Sequence, residues 1–472
     1  MYSKLKNRGY ITILVLVFAG VFVVIISSLT GYIFAQNKLQ LAKENREKAF
    51  DIAEAGLSYY KWRLSHYPND LQDGTGVPGP YVHKYFDPEG DEIGTFSLDV
   101  DGNKQCGSTR SIDITSTGWS KADPTLTRTI SAKYARPSVS TYSYIIDSNV
   151  WAGSDRNIKG RYHSNKGIRM DGTNQSLVTS SKTDWTCTSG FGCSPDQTVD
   201  GVFGSGPNSD KWSFPVPQID FNGISADLAD MKTRAQSYGL YLDSTSPYGY
   251  HLVFKSDGNV DVFRVVAVSP TNAWIYNPET GRYEETAVYD TITTEVPIQT
   301  YTPSSSCALI FAEDRLWIDG VVSGKITVAA ADVANPNNAV DIILNWNIDY
   351  ANPTGTTDGL TAISERDVLI PLRSPENMTL RGIFIAQTGR FGRHYYNPIT
   401  YPNDSKQNTL TVSGTIVSSK RGGTKWPGCS PDNFCSGYKT RVSSYDSTQE
   451  ITPPPLTPYT SADFKFVQWK EE

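Results

Sequence analysis

The chain has 472 residues, 38% of them hydrophobic, with 27 Tyr, 10 Trp and 38 Gly. This length exceeds one compact core, so we expect two or three domains, and the composition favours exposed β structure over a helical bundle. The formal net charge of −6 disfavours a protein built wholly around nucleic-acid binding, although a local basic patch is compatible with it.

An uncharged run covers Gly9–Asn37 and follows Lys4, Lys6 and Arg8. A helix needs about 20 apolar residues to cross a bilayer, and this run is long enough. Positive charge stays on the cytoplasmic side, so we predict a single-pass inner-membrane protein with a cytoplasmic N-terminus and an extracytoplasmic bulk. A cleaved secretory signal has a shorter apolar region, which favours retention of this one.

An amphipathic pattern continues the apolar run through residues 38–67. Apolar residues recur there at spacings of three and four, typical of a helix with one buried face. They are Phe50, Ala53, Leu57, Tyr60 and Leu64. Pro68 is expected to end the helix. One helix of nearly 60 residues, half in lipid and half packed on a folded head, is therefore predicted.

The N-terminus resembles a known family. The basic leader ending Arg8, Gly9, Tyr10, the apolar helix, and the Ala-Glu-Ala-Gly string at Ala53–Gly56 are similar to type IV pilins and pseudopilins, most of all to PilX-type minor pilins. The resemblance implies cleavage by a prepilin peptidase between Gly9 and Tyr10, usually with methylation of the new N-terminus. It also implies two kinds of partner, namely other pilin subunits bound through the helix and an inner-membrane assembly platform.

One residue departs from the family pattern. Main pilin subunits carry Glu as the fifth mature residue, and this chain would have Leu14 there. The departure argues against a major, repeating subunit. It fits a minor subunit, including one at the pilus tip, or a relative that is never assembled. A plain signal anchor carrying a surface adhesin is the alternative, because hydropathy alone does not separate the two.

Beyond the helix the sequence predicts two kinds of β structure, a small antiparallel sheet and then a larger repetitive domain. Residues 94–134 hold three alternating strands, with a turn expected at Asp101-Gly102, and we predict a small antiparallel sheet covered by the helix. After Pro137 an apolar-x-Gly-x-apolar pattern recurs, which favours a β-helix or solenoid, with a large β-sandwich as the alternative. The pattern is centred on Gly160, Gly320, Gly382 and Gly414.

The predicted fold class is therefore mainly β with a long N-terminal α-helix: a pilin-like helix plus small antiparallel sheet, then a β-helix-like domain. The predicted divisions are a leader (1–9), a transmembrane helix (10–37), its amphipathic continuation (38–67), a pilin-like sheet (68–137), a β-helix-like surface domain (138–450) with an inserted helix and strands near 222–300, including a turn at Glu279–Gly281, and a Pro-rich segment with a C-terminal strand (451–472).

The six Cys include two pairs with the same spacing. They are Cys187 with Cys193 and Cys429 with Cys435. Each pair contains or overlaps a Gly-Cys-Ser-Pro-Asp string, at Gly192–Asp196 and Gly428–Asp432. Local disulfides are favoured outside the cytoplasm, and crossed pairing between the strings stays open. Zinc is less favoured, because no His sits beside these pairs. Cys106 and Cys307 either pair with each other or stay buried and free.

The sequence lacks the nucleophile elbow, phosphate loop and zinc-protease motifs of common enzymes, and it calls for no cofactor or metal. Two charged clusters, Glu313 to Asp319 and Glu365 to Asp367, would suit a β-helix carbohydrate-active enzyme. Polar turns between rungs produce such clusters routinely, and a fold alone implies no chemistry. We therefore expect no enzyme, and the enzyme is the third alternative.

A basic, aromatic patch is the candidate binding site. Successive rungs place equivalent loops side by side, so the loops after Gly382 and Gly414 should share one surface. The candidates are Arg390, Arg393, His394, Tyr395, Tyr396, Lys420, Arg421, Lys425 and Trp426. Cations neutralise phosphates, and aromatic rings stack on bases or sugars, which predicts a DNA or glycan ligand. The function favoured by the sequence is a minor pilin-like subunit that presents this surface for assembly, adhesion or DNA uptake.

Overall fold

The structure is a computed structural model. It describes residues 8–67, 70–224, 226–244, 248–277, 282–335, 338–429, 433–461 and 463–472. Most of the leader (1–7), Pro68, the expected turn at Glu279–Gly281 and the end of the second Gly-Cys-Ser-Pro-Asp string lie outside these residues. The chain forms two compact units, the first made of residues 1–103, 111–134 and 466–472 and the second of 104–110 and 135–465.

The first unit is one long helix and an antiparallel sheet. The helix α1 spans Arg8–His66, and the strands that follow it are β1 (Tyr81–Phe86), β2 (Glu92–Gln105), β3 (Ser108–Ser120) and β4 (Thr127–Ala135). The C-terminal strand, Lys465–Glu471, adds to β4 and completes a five-stranded sheet. A long N-terminal helix on an antiparallel sheet is the arrangement that the sequence predicts.

The two halves of α1 have different surroundings. Every residue from Tyr10 to Leu41 is exposed, and this stretch holds the only helix segment among the described residues that is long and apolar enough to cross a membrane. The second half buries Ile52, Ala53, Leu57 and Tyr60 against sheet residues such as Phe96 and Ile114. The predicted 3.6-residue stripe is therefore the face that packs, and only Phe50 of that stripe stays partly exposed.

A small residue allows α1 to approach the sheet closely. A Cβ on Gly118 of β3 would lie 2.3 Å from the Ala49 carbonyl oxygen and 2.4 Å from the Ala53 amide nitrogen. The turn predicted at Asp101-Gly102 is wrong, because β2 continues to Gln105. The chain reverses instead at Cys106-Gly107, where both residues have positive φ, 49° and 77°.

The second unit consists mostly of short strands. After a 3₁₀ turn at Val139–Thr141, its first group is β5 (Tyr144–Ile146), β6 (Val150–Ala152), β7 (Asn157–Ile158), β8 (Tyr162–Ser164), β9 (Ile168–Met170), β10 (Thr173–Asn174), β11 (Val178–Ser180), β12 (Asp184–Cys187), β13 (Gln197–Asp200), β14 (Val202–Phe203) and β15 (Trp212–Ser213). Two further 3₁₀ turns cover Ser189–Phe191 and Ser209–Lys211.

Two helices and a long hairpin interrupt these strands. They are α2 (Phe221–Ile224), α3 (Leu228–Tyr238), β16 (Leu240–Leu242), β17 (Tyr250–Phe254) and the hairpin strands β18 (Val260–Asn277) and β19 (Arg282–Tyr301). Asp227 caps α3 by accepting from the Asp230 amide at 2.9 Å, and Gly239 follows its last turn.

The remaining strands return to short rungs. They are β20 (Leu309–Ala312), β21 (Leu316–Val322), β22 (Lys325–Ala330), β23 (Ile342–Tyr350), β24 (Gly359–Ser364), β25 (Val368–Ile370), β26 (Asn377–Ala386), β27 (Phe391–Arg393), β28 (Lys406–Ser418), β29 (Lys425–Trp426) and β30 (Ser436–Ser444), followed by α4 (Thr448–Ile451) and the C-terminal strand β31 (Lys465–Glu471).

Parallel pairing between successive turns of chain makes this unit a β-solenoid. β20, β22, β24 and the second half of β26 pair in parallel and in sequence order, and β26 pairs with β28 over ten residues, including Gly382 with Gly414. A second series runs from β17 through β21, β23 and β25 to β27. The predicted combination of helix, antiparallel sheet and β-helix is confirmed.

The order of rungs in space differs from the order in the chain. The late strand β28 pairs in parallel with the early strand β5, through Ile416 and Tyr144. The stack then continues through β8 to β11 and β15, while β16 pairs with β20 at the other end. The chain thus enters in the middle of the stack, adds the strands β5, β8, β11 and β15 in one direction, crosses to the far end through α3, and returns along the stack to β28.

Several apolar clusters hold the solenoid together. The largest fills its interior, with Leu316, Ile342, Leu380 and Phe384 among its members. A second lies on the outside of the β20 to β28 sheet, where Met231 and Ala235 of α3 and Leu456 near the C-terminus cover it. A third lies under the hairpin, where Val265 packs with Trp317, Ile343 and Leu369.

Three disulfides form within the second unit. They are Cys106–Cys307, Cys187–Cys193 and Cys429–Cys435. The two local bonds are those expected from the shared spacing, and the remaining two Cys pair with each other.

Candidate functional site

A cleft opens between the hairpin β18–β19 and the corner at which the chain turns into β21, β23, β25 and β27. Its volume is ≈ 940 Å³, which lies within the range of ligand sites in proteins. Among the described residues, five cationic side chains and three carboxylates line it. They are Arg315, Arg366, Arg390, Lys420 and Arg421, with Asp290, Asp341 and Asp367.

Strand register aligns four of these charges. Leu316, Ile342, Val368 and Phe391 pair in succession across the rungs. The residues that precede them, Arg315, Asp341, Asp367 and Arg390, therefore form one column, which we call the charged column. Adjacent strands lie about 4.8 Å apart, so the column presents its charges at that interval along the stack.

An ion pair occupies the middle of the cleft. Arg366 donates to both carboxylate oxygens of Asp341, at 2.8 Å and 2.6 Å, while the Asp367 amide donates to the same carboxylate at 3.1 Å. Asp341 is buried, and the Arg366 side chain stays 45% exposed. The arrangement holds the guanidinium at the surface of the cleft, with part of its charge already compensated.

Asp367 is the less compensated carboxylate. Its Oδ1 accepts the Arg390 amide at 2.7 Å, and no described residue donates to its Oδ2. Burial and then the neighbouring Asp341 raise the pKa of the Asp367 carboxyl. Asp367 thus keeps an acceptor oxygen for a ligand.

Arg390 rests on a buried imidazole. Its Nη2 donates to Nδ1 of His394 at 2.9 Å, so this nitrogen of His394 acts as an acceptor. Burial and then the cations Arg390, Arg366 and Arg393 lower the pKa of His394 to about 3. His394 is therefore neutral at physiological pH and fixes the direction of Arg390.

The two cations of the next rung differ. Lys420 is exposed, and its ammonium has no carboxylate partner in the part of the chain that the structure describes. Arg421 donates to the Gly190 carbonyl at 3.1 Å and lies 4.4 Å from the centre of the Phe191 ring. Burial lowers the pKa of the Arg421 guanidinium. Lys420 is consequently the cation most available to a ligand.

Tyrosines from the hairpin form the opposite wall. Tyr276, Tyr283 and Tyr289 are 49%, 48% and 46% exposed, although each lines the cleft. Arg315 joins this wall to the charged column by donating to the Tyr289 carbonyl at 2.6 Å. The rings are large, rigid surfaces with a polar tip, suited to stacking on a planar or flat-faced ligand.

The floor of the cleft is a satisfied polar cluster. Asp290 accepts from the Tyr396 hydroxyl at 2.8 Å, from Thr291 at 3.2 Å and from Thr271 at 3.3 Å. The Trp317 indole donates to the Asp290 carbonyl at 2.7 Å, which ties the hairpin to the solenoid. This cluster serves to position the hairpin wall.

The predicted patch is only partly assembled. Arg390, His394, Lys420 and Arg421 line the cleft, but the predicted surface position is wrong for Arg393 and Tyr396, which are fully buried. Arg393 donates to the backbone carbonyls of four residues. These are Pro371, Leu372, Asp404 and Ser405. Burial lowers the Arg393 pKa, and the side chain serves the fold. His394 lies beneath the surface and acts through Arg390.

The other predicted patch residues do not line the cleft. Lys425 pairs with Asp155 at 3.2 Å, beside the stronger bond from Arg441 to the same carboxylate. Tyr395 and Trp426 contact each other edge to face, with ring centres 6.0 Å apart, and Trp426 makes a similar contact with Tyr283. These aromatic residues therefore support the hairpin wall from behind.

The candidate enzyme clusters are dispersed. Glu313 binds Lys232 and Tyr241, while Asp319 binds His251 at 3.1 Å and Asn345 at 2.8 Å. Only Arg315, Arg366 and Asp367 from those clusters line the cleft. No group of three or more His, Cys, Asp or Glu suited to a metal ion occurs within the described residues.

Sequence reasoning missed Asp341 and the three tyrosines of the wall. For Asp341 a signal exists, because Asp341 precedes Ile-Ile-Leu as Asp367 precedes Val-Leu-Ile, which would have placed the two on equivalent rungs. No local signal places Tyr276, Tyr283 or Tyr289 against the corner, since their position depends on how the hairpin folds over the solenoid.

Comparison with known proteins adds little. No family model matches the chain, and no curated protein matches it. Among solved structures, the competence-associated pilin ComZ from Thermus thermophilus is similar at a TM-score of 0.29 and 12% identity, over 91% of this chain and 97% of that chain. A likeness at this TM-score supports no conclusion about function.

Proposed function

We propose that this protein is a minor, pilin-like subunit that is anchored by α1 and presents the solenoid outside the cytoplasm. The observation that carries the proposal is the division of α1, with an exposed apolar half from Tyr10 to Leu41 and a second half packed on the sheet. An exposed apolar surface of this size requires lipid or other helices. The leader residues Arg8, Gly9 and Tyr10 add the family resemblance.

The proposed partners follow from that role. They are a prepilin peptidase that cuts between Gly9 and Tyr10, other pilin subunits that pack against the first half of α1, and an inner-membrane assembly platform. Leu14 at the fifth mature position favours a minor subunit, including a tip position. The solenoid would serve adhesion or DNA uptake, and the cleft is its proposed binding site. We propose binding without catalysis, because Asp341 is held by Arg366.

A leader variant tests the proposal in native cells. Replacing Gly9 with Leu should block processing, so the protein should stay uncut in the membrane and disappear from the sheared surface-filament fraction. Ser58→Leu is the matched control, because Ser58 is exposed on the second half of α1, outside the segment proposed to pack against other subunits. Equal amounts of wild type and Gly9→Leu in the sheared fraction would contradict the proposal and favour a plainly anchored adhesin.

A further inference from the structure

The cleft has a direction, which restricts its ligand. The charged column and Arg366 present groups from successive rungs at about 4.8 Å intervals, so an elongated ligand can contact several rungs at once. The hairpin wall crosses the same rungs, since Arg315 donates to the Tyr289 carbonyl while the Tyr283 ring contacts Trp426. A polymer that runs along the stack fits this layout better than a compact molecule.

The charge pattern restricts the ligand further. Five cations line the cleft, but so do three carboxylates, two of which belong to the charged column itself. A nucleic-acid strand carries a phosphate on every nucleotide, and like charges held close together repel. A sugar polymer with acidic groups lessens this conflict, because its many hydroxyls donate to the carboxylates while its acidic groups bind Arg and Lys.

The unpaired groups match such a polymer. Oδ2 of Asp367 accepts from no described residue, and Lys420 is exposed with no carboxylate partner among the described residues. The two belong to nearby rungs, since the Lys420 amide donates to the Gly389 carbonyl and the Arg390 amide donates to Asp367. One acceptor and one cation thus line the same cleft on nearby rungs, opposite half-exposed tyrosine rings that can stack on the apolar face of a sugar.

We propose that the cleft binds an acidic polysaccharide, a chain of sugar rings that bear carboxylate groups, along the stacking direction of the rungs. Lys420 and Arg390 bind the carboxylates, Asp367 accepts from hydroxyls, and the hairpin tyrosines stack on the rings. The inference deepens the proposed function, on which it rests for the placement of the cleft outside the cytoplasm.

The test measures binding to the full-length protein in lipid nanodiscs. The probes are oligogalacturonate, a neutral galactan oligomer of the same length, and single-stranded DNA. We expect saturable binding of oligogalacturonate that is at least about tenfold tighter than binding of the neutral oligomer, since charge-assisted hydrogen bonds contribute at this level. Equal affinity for both sugars, or no binding of either, would overturn the proposal, and so would tighter binding of DNA.

Variants locate the site. Lys420→Gln and Tyr283→Ala should each weaken oligogalacturonate binding by about tenfold with an unchanged melting temperature. Lys159→Gln, an exposed lysine elsewhere on the solenoid, is the matched control and should bind as wild type does. Unchanged binding in both cleft variants would overturn the location. The nanodisc assay does not involve leader processing, so failure here and failure of the Gly9 test are separate results.

Discussion

At the residue scale, the partners of a charged side chain decide its role. Arg390 and Arg393 are three residues apart, yet Arg390 lines the cleft whereas Arg393 is buried and donates to four backbone carbonyl oxygens. His394 is buried and accepts from Arg390. Its imidazole is neutral because burial and neighbouring cations disfavour the charged form. One cation of the cleft, Arg390, is therefore held by a buried imidazole, and protonation of that imidazole would break this hydrogen bond.

This burial predicts a pH dependence of stability. The pKa of His394 is about 3 in the folded protein and about 6.5 in an unfolded chain. Between these values the unfolded state binds the proton, so the stabilisation is present above about pH 6.5 and is lost as pH falls towards 3. From pH 7 to pH 5 the wild type should lose about 2 kcal/mol more unfolding free energy than His394→Gln.

Urea unfolding of both proteins at the two pH values measures this difference. Carboxylates elsewhere titrate equally in both proteins and cancel in the comparison. An identical loss in wild type and His394→Gln would show that His394 does not stay neutral in the folded state.

The sequence predicted the cations of the cleft better than their environments. Arg390, Lys420 and Arg421 follow from the repeat, because equivalent loops of stacked rungs share one side of a solenoid. The burial of Arg393 and Tyr396 could not be predicted, since it depends on carbonyls at Pro371 and Asp404 and on Asp290 of the hairpin, all brought there by tertiary folding.

At the element scale, glycine sets how closely the rungs stack. Gly382 and Gly414 pair with each other at φ values of 149° and 133°, and a Cβ on Gly414 would lie 2.1 Å from the Gly382 carbonyl oxygen. Such a contact forces the backbone to move. The recurrence of glycine in the apolar repeat thus has a steric cause, namely the bend within β26 and β28.

Gly414→Ala should destabilise the solenoid by roughly 2–4 kcal/mol, from the steric conflict added to the unfavourable φ. Gly324→Ala is the control, because Gly324 also has positive φ, 81°, but its Cβ would meet no atom within 4 Å. That variant should lose only about 1–2 kcal/mol. Urea unfolding measures both, and equal losses would rule out rung crowding as the reason for glycine.

The helix and the rungs could be predicted because their signals are local. The stripe from Ala53 to Leu64 has the helical period, and short apolar runs around Gly382 and Gly414 have the alternation of strands. The turn predicted at Asp101-Gly102 was wrong because β2 pairs with β3 and continues past this favourable turn sequence to Gln105, where the Asn103 side chain also donates to Asp113. Tertiary pairing overrides local turn preference there.

At the scale of the whole molecule, the pairing of β28 with β5 is a feature that could not be predicted from the sequence. Ile416 and Tyr144 lie on adjacent strands but are far apart in the chain. No feature of either segment's sequence identifies the other segment as its pairing partner. The same holds for the hairpin over Trp317 and Ile343. The fold class could be predicted from the composition and from the periodicity of apolar residues. The order of the rungs depends on pairing between distant segments, which leaves no periodic pattern in the sequence.

The number of residues between two bonded cysteines also predicts how much each disulfide contributes to the free energy of unfolding. Cys106–Cys307 closes a loop with a separation of 201 residues, against 6 for Cys429–Cys435. In the chain-entropy account, the long loop contributes about 5 kcal/mol and the short one about 2 kcal/mol. Unfolding of the double Ser variant of each pair measures the difference. A smaller loss for Cys106→Ser/Cys307→Ser would contradict this account.

We propose that α1 is a processed pilin-type helix, and intact N-terminal mass spectrometry of protein from native cells can verify this processing. We expect a mature chain that starts at Tyr10 and carries a methyl group on its amino nitrogen. A chain that retains Met1 or starts elsewhere would show that α1 is not processed in this way, and the solenoid would then belong to a static, membrane-anchored surface protein.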